Sequence, residues 1–230
     1  MKNIITTLTL LFTFSVFSQS NQELLSHYKK YYKQMQSQSD IQGVINALTH
    51  LNVLSPNQAR KDTLATLYMN EGRHVEALNT IGIEKNEDDS DLAVQVKAFS
   101  LKAINDLDQS LIHYEELFKR KPNPFIAYEL AEMKIRKGDL LGATRNITFG
   151  IANSNGDIAR NYYETQQPYS VPMKAAFIYL KGLVKINEDR ENNIDQTIAI
   201  MQEALTEAPN FNMAKISIDA LTAQKNTKVE

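Results

Sequence analysis

The sequence predicts an all-α chain of stacked helix pairs, and three observations carry the prediction. Asp40, Arg73, Asp106 and Asp139 stand 33 residues apart. Val44, Ala77, Ser110 and Ala143 repeat at the same interval four residues later, and Leu48, Ile81, Tyr114 and Ile147 form a third series. A fixed period in this range marks an architecture of stacked repeats, in which no unit buries its apolar face alone. The second observation is local: each period holds a helix stop followed at once by a helix start. The third is compositional. Apolar residues make up 43% of the chain, with no Cys and a formal charge of −2, so an ordinary globular core is available and no disulfide staples it.

In chain order, the first element is different from the rest. Lys2 precedes an apolar run over residues 4–17, and Val16-Phe17-Ser18 supplies smaller residues before Gln19. This pattern predicts a secretory signal peptide over residues 1–18, cleaved after Ser18 or Ser20. The run is shorter than the roughly 20 residues that cross a bilayer, so the mature chain is expected to carry no membrane span. Without Cys it carries no lipid anchor. The expected location is the periplasm or the extracellular space.

Residues 19–222 are expected to form one solenoid. In the stretch from Leu64 to Leu78, a first helix ends near Gly72, which suits a left-handed turn. A second helix follows with Ala77 and Ile81 on one face. Asp40 and Asp139 are suited to cap the matching second helices, and Asp106 with Gln109 reads as a capping box. Arg73 interrupts this cap series, although Glu76 keeps an acidic group in the first turn. The register then slips. Ala204 and Pro209 place the next small-residue position at Thr197, 21 residues later than one period after Ala143. The excess is assigned to an insertion around 154–171, which holds Tyr162, Tyr163 and Tyr169, and to a polar loop over 187–192. Residues 173–186 read as an apolar helix, and Asn193 with Gln196 as the cap of the next. A final helix over 211–222 closes the stack, and 223–230 reads as a flexible tail.

These units resemble tetratricopeptide repeats. The Leu-small pair of that family is matched by Leu64-Ala65 and Leu130-Ala131, its Tyr by Tyr68, its small second-helix residue by Ala77, Ser110 and Ala143, and its later aromatic by Tyr114. Pro-Asn steps end helices at Pro56-Asn57, Pro122-Asn123 and Pro209-Asn210. The chain lacks Trp, has Lys97 in place of an expected Leu, and has a period of 33 rather than the family's 34. Ankyrin repeats share the period, but their Thr-Pro-Leu-His turn is absent. The resemblance covers about residues 21–222. With the leader, it implies an exported bacterial type: an α-solenoid of about five helix pairs with a C-terminal capping helix.

Nothing in the sequence points to catalysis, a cofactor or a metal. His27, His50, His74 and His113 have no metal-binding spacing. Nucleophile and phosphate-loop motifs are missing. Glu87-Asp88-Asp89 lacks the alternating ligands of a calcium loop and reads as a solvated turn. Asn146-Ile147-Thr148 matches a glycosylation pattern but falls in a helix, so it reads as coincidence. The near-neutral charge gives no footprint for nucleic acid.

The resemblance implies a concave face lined by the first helix of each pair, where proteins or peptides dock. Carried over by repeat position, that face holds Lys29 and Lys33, then Asp62, Thr66, Met69 and Asn70. It continues with Gln95, Phe99 and Lys102, then Phe125, Tyr128, Glu132 and Arg136. Lys29 matches one position of the carboxylate clamp of chaperone-binding relatives, but Lys33 stands where they have Asn. The expected function is therefore an exported scaffold that binds a protein or peptide of unspecified identity, with Phe99 and Tyr128 as its aromatic anchors. The alternative is a glycan-binding accessory protein that stacks sugars on Tyr162, Tyr163 and Tyr169.

Overall fold

The structure, a computed structural model, describes residues 20–227. The sequence-predicted leader and the last three residues lie outside the described residues. The chain divides into two compact units, Met1–Gly82 and Ile83–Glu230. The first holds α1 (Asn21–Ser37), α2 (Ile41–Leu54), α3 (Gln58–Asn70) and α4 (His74–Ile81). In the second, α5 (Asp91–Ala103), α6 (Leu107–Arg120), α7 (Pro124–Lys137) and α8 (Leu140–Asn153) are followed by the strands β1 (Ala159–Tyr162) and β2 (Tyr169–Pro172). Then come α9 (Met173–Glu188), α10 (Ile194–Glu207) and α11 (Asn212–Thr227). Successive helices pack as five pairs, α1 with α2 through α9 with α10, and α11 closes on α10.

The turn inside each pair explains the period. Ser39, Gly72, Asn105 and Gly138 have φ of 56°, 72°, 65° and 80°. These positions are 33 residues apart. Each ends a first helix in a Schellman motif. The amide of the next residue reaches back five residues, from Asp40 to the Met35 carbonyl, Arg73 to Tyr68, Asp106 to Leu101 and Asp139 to Lys134. That next residue is also the N-cap of the second helix. Asp40, Asp106 and Asp139 accept from the amides of Gly43, Gln109 and Gly142, whereas Arg73 makes no side-chain cap. One residue thus stops one helix and starts the next, which keeps the pair tight.

The small-residue series sits where the paired helices touch. Ala77, Ser110, Ala143 and Thr197 are all fully buried, and the Ser110 hydroxyl donates to the Ala98 carbonyl at 2.9 Å. Ala77→Leu and Ala143→Leu are each expected to overpack their pair and cost about 1–3 kcal/mol. Unchanged denaturant midpoints for both would contradict this packing.

Three expectations need correction. Asn193 holds the N-cap position of α10, but its side chain makes no cap bond. Its side-chain amide instead donates to the Lys185 carbonyl at 3.0 Å, tying the loop to α9. The last helix continues past Thr222 to Thr227, because Met213, Ile218 and Leu221 pack on the core and Lys225 pairs with Asp195 at 2.6 Å. The acidic run 87–89 is not wholly solvated. Asp89 turns inward to Lys97, whose side chain is only 2% exposed, at 2.6 Å. The Lys97 ammonium also donates to the Glu84 carbonyl at 2.7 Å.

His113 is packed in the same region. Its Nε2 lies 2.8 Å from the Ile83 carbonyl. A carbonyl only accepts, so Nε2 carries the proton, and the buried Nδ1 has no hydrogen-bond partner. Burial lowers the His113 pKa below its ordinary 6.5, and the Lys97 and Lys85 charges add to this, against the Ile83 carbonyl and Asp89. The unfolded chain therefore takes up this proton first. Stability is full above pH 6.5 and falls as pH drops below it, until the native imidazole itself protonates. His113→Gln is expected to flatten the loss of stability between pH 7 and pH 5, as read from urea midpoints. An unchanged slope in that window would contradict the assignment.

Candidate functional site

The second unit presents a pocket of about 390 Å3 between α5, the end of α6 and the start of α7. Gln95 and Phe99 line it from α5, one turn apart, and Phe125 and Ile126 from the first turn of α7. Asn123 fixes that turn by accepting from the Ile126 amide at 3.0 Å, and Pro124 follows it in the first helical position. Leu117 forms apolar wall, and Asp91, Arg120 and Lys121 supply the charge. Phe99 is 44% exposed and Phe125 52% exposed. One side of the Phe99 ring packs on Tyr114, with centroids 5.6 Å apart. Three of the sequence-predicted residues, Gln95, Phe99 and Phe125, thus share one site.

Farther along α5 and α7 the surface is polar and closed by ion pairs. The Lys102 ammonium touches Glu129 and lies 2.7 Å from Glu132. Burial acts to lower its pKa, but the two carboxylates outweigh that and hold it above the ordinary lysine value. Arg160 of β1 reaches Glu129 at 3.0 Å. Arg136 is exposed and donates to the Asn105 side chain at 2.8 Å. Glu129 and Arg160 complete this quartet and escaped the sequence reading, since only the folded insertion brings Arg160 to α7.

Tyr128 is not a surface anchor. It is 2% exposed, because the hairpin covers it. β1 and β2 pair antiparallel, with Arg160 opposite Val171 and Tyr162 opposite Tyr169. The Arg160 guanidinium stacks 3.8 Å above the Tyr128 ring, and Tyr162 meets the Tyr128 hydroxyl at 3.0 Å. Phe177 also packs against the ring, edge to face, with centroids 5.6 Å apart. Burial holds the Tyr128 phenol well above its ordinary pKa.

The three inserted tyrosines form no common platform. Tyr162 and Tyr169 are cross-strand partners, whereas Tyr163 lies just past the end of β1. Tyr162 and Tyr169 face the core, stacked on each other at 5.6 Å, and Tyr162 also abuts Phe211. Burial pushes both phenols up to about 12. Tyr169 is held by Glu164 and by the Met213 amide at 3.2 Å. Tyr163 alone of the three is exposed. The Tyr162 ring meets both Tyr169 and Phe211, and Tyr169 has one face taken by Tyr162.

In the first unit, Lys29, Lys33 and Asn70 are exposed, and Thr66 and Met69 are half-buried. Asp62 is 3% exposed and accepts from Gln58 at 2.8 Å, so it is spent within α3 rather than offered to a partner. A pocket of about 460 Å3 in this unit is lined by other residues, among them Tyr28, Tyr31, His50 and Arg73. Its ring faces are partly used, His50 stacking on Tyr28 at 4.2 Å and Arg73 lying 4.6 Å over Tyr68. Asn146 is buried and accepts from Lys134, in keeping with a coincidental glycosylation pattern. Among the described residues, no group of three or more metal-ligating side chains comes together.

No family model matches the sequence, and no curated protein does. Solved structures do. The chain is similar to MamA protein over 81% of its own length and 92% of that chain, with a TM-score of 0.56 at 14% identity. PilW, described as a widely conserved type IV pilus biogenesis factor, matches 86% of this chain over 82% of its own, with a TM-score of 0.51 at 11% identity. A chain of the APC/C hetero-tetramer Cut9-Hcn1 matches 84% of this one over 35% of its own, with a TM-score of 0.51 at 14% identity. These are tetratricopeptide-repeat proteins, and this chain has their fold, an α-solenoid of helix pairs.

Proposed function

We propose that this protein is an exported adaptor that binds another protein through the face formed by α5 and α7. The observation that carries the reading is the pocket holding Phe99 and Phe125. Large aromatics half out of water, on rigid helices and beside charged groups, are the residues that dominate interface energies. Helix-pair solenoids build such surfaces by repetition, and α5 and α7 are the first helices of successive pairs. Export is supported by the basic residue, apolar run and small residues of the first 18 positions. No helix among the described residues is long and apolar enough to cross a membrane.

The experiment is affinity capture from the native host, with the bound partner then purified and titrated. Phe99→Ala and Phe125→Ala are each expected to weaken its binding by about 1–3 kcal/mol. Both rings are half-exposed, so the variants should remain folded. Tyr163→Ala should leave binding unchanged. Full binding by the Phe99→Ala, Phe125→Ala double variant would place the interface elsewhere.

A further inference from the structure

The hairpin of β1 and β2 has two outer edges, and they are not alike. Its pairing phase is set at its base, where the Met173 amide donates to the Ile158 carbonyl at 2.7 Å. In an antiparallel ladder, hydrogen-bonded pairs alternate with non-bonded ones. Arg160 and Val171 are therefore a bonded pair, whereas Ala159 and Pro172, and Asn161 and Ser170, turn their backbone groups outward. Pro172 fits this phase, since it has no N–H to give to the ladder. The β2 edge is thereby closed: Pro172 offers no donor, and the Ser170 carbonyl accepts from the Asn210 side chain at 3.0 Å. The β1 edge carries neither of these devices, which proteins use to blunt a free edge. Ala159 and Asn161 are exposed, and among the described residues nothing bonds their outward amides and carbonyls. The Asn161 side chain is held across the hairpin by the Ser170 hydroxyl. From beneath, Arg160 reaches Glu129 at 3.0 Å and lies over Tyr128, and Tyr162 meets the Tyr128 hydroxyl. A strand fixed in this way loses little freedom when a neighbour pairs with it.

We infer that the β1 edge takes an extended peptide segment of a partner protein as a third strand of the sheet. Donors and acceptors that alternate at strand spacing are matched by another extended backbone. A second copy of this chain fits poorly. In the antiparallel register that engages every outward group of both copies, Ala159 meets Asn161 and Arg160 falls opposite Arg160, a destabilising pair of like charges. The segment therefore belongs to a different chain and carries no Lys or Arg opposite Arg160. This recognition runs through the backbone of the insertion and does not rest on the pocket between α5 and α7.

The probe is the uncharged, strand-favouring peptide N-acetyl-Thr-Val-Thr-Val-Thr-amide, with the same peptide N-methylated at every residue as control. Amide hydrogen exchange of the full chain is followed by NMR at millimolar peptide. Exchange at Ala159 and Asn161 is expected to slow by about twofold to tenfold, the range of one net hydrogen bond, with the Ser170 amide unaffected. The N-methylated peptide should slow neither. Asn161→Pro should abolish the protection of Ala159, and Ser170→Pro should preserve it. Both variants lose the side-chain bond between Ser170 and Asn161, and both place Pro where the amide points outward, so the inner Val171 amide should stay protected. If Val171 loses protection in Asn161→Pro, the N-methylated control on the wild type decides alone. Unchanged exchange with the unmodified peptide would overturn the inference. So would equal slowing by the N-methylated peptide, or protection of Ala159 that survives Asn161→Pro in a folded hairpin. Slowing that follows the concentration of the protein without peptide would give the edge to a second copy and overturn it too. Phe99→Ala and Phe125→Ala should leave the peptide effect intact, so this reading and the pocket reading fail separately.

Discussion

Asp89→Ala is expected to destabilise the second unit by about 3–5 kcal/mol, and Lys97→Leu by clearly less. The two residues form one ion pair at 2.6 Å, but they are not equivalent. The Lys97 side chain is buried, and removing Asp89 leaves its ammonium with a single carbonyl partner, that of Glu84. Removing Lys97 puts an apolar side chain where the repeat pattern has one, and leaves Asp89, whose side chain is 10% exposed, still accepting from the Asn86 amide at 3.2 Å. Urea midpoints for the two variants check the asymmetry. Equal losses would show that the carboxylate is as dependent on the pair as the ammonium.

Tyr128→Ala is the second large effect, expected at about 3–5 kcal/mol, the cost of emptying a buried aromatic site. Arg160, Tyr162 and Phe177 all lean on this ring, so the insertion should loosen with it. Tyr128→Phe should cost only about 1 kcal/mol, for one hydroxyl contact. Phe99→Ala, losing a ring already half in water, should cost clearly less than Tyr128→Ala. Thermal or urea denaturation ranks the three. A Tyr128→Ala protein as stable as the wild type would mean that the hairpin does not depend on the ring it covers.

How far the sequence could be read depends on the range of the interactions involved. The helix pairs were legible because their determinants are local and recur: a left-handed stop, a cap one residue later, and a small residue four residues after that. Gly72 and Gly138 announce the stop, while Ser39 and Asn105 adopt it without a sequence signal as strong. Gln95, Phe99 and Phe125 were found together because repeat register alone sets which way a first-helix residue faces. Tyr128 follows the same register and was misplaced for a reason the register does not contain. The non-repeating hairpin lies over it, and the strands that build the hairpin are only four residues each. The same segment hid Arg160 and, through it, the role of Glu129. Asp62 was misread more simply, since its Gln58 partner one turn earlier is close enough to consume a side chain that repeat position alone would leave free.

Site-specific photocrosslinking in the native host tests the central claim most directly. A benzophenone side chain at Gln95, exposed beside Phe99 and Phe125, is compared with one at Ile112, exposed on α6 outside the pocket. The account predicts a discrete protein adduct from position 95 that disappears when Phe99→Ala is added, and none from position 112. An adduct from position 112 with none from position 95, or one at position 95 that Phe99→Ala leaves intact, would contradict it.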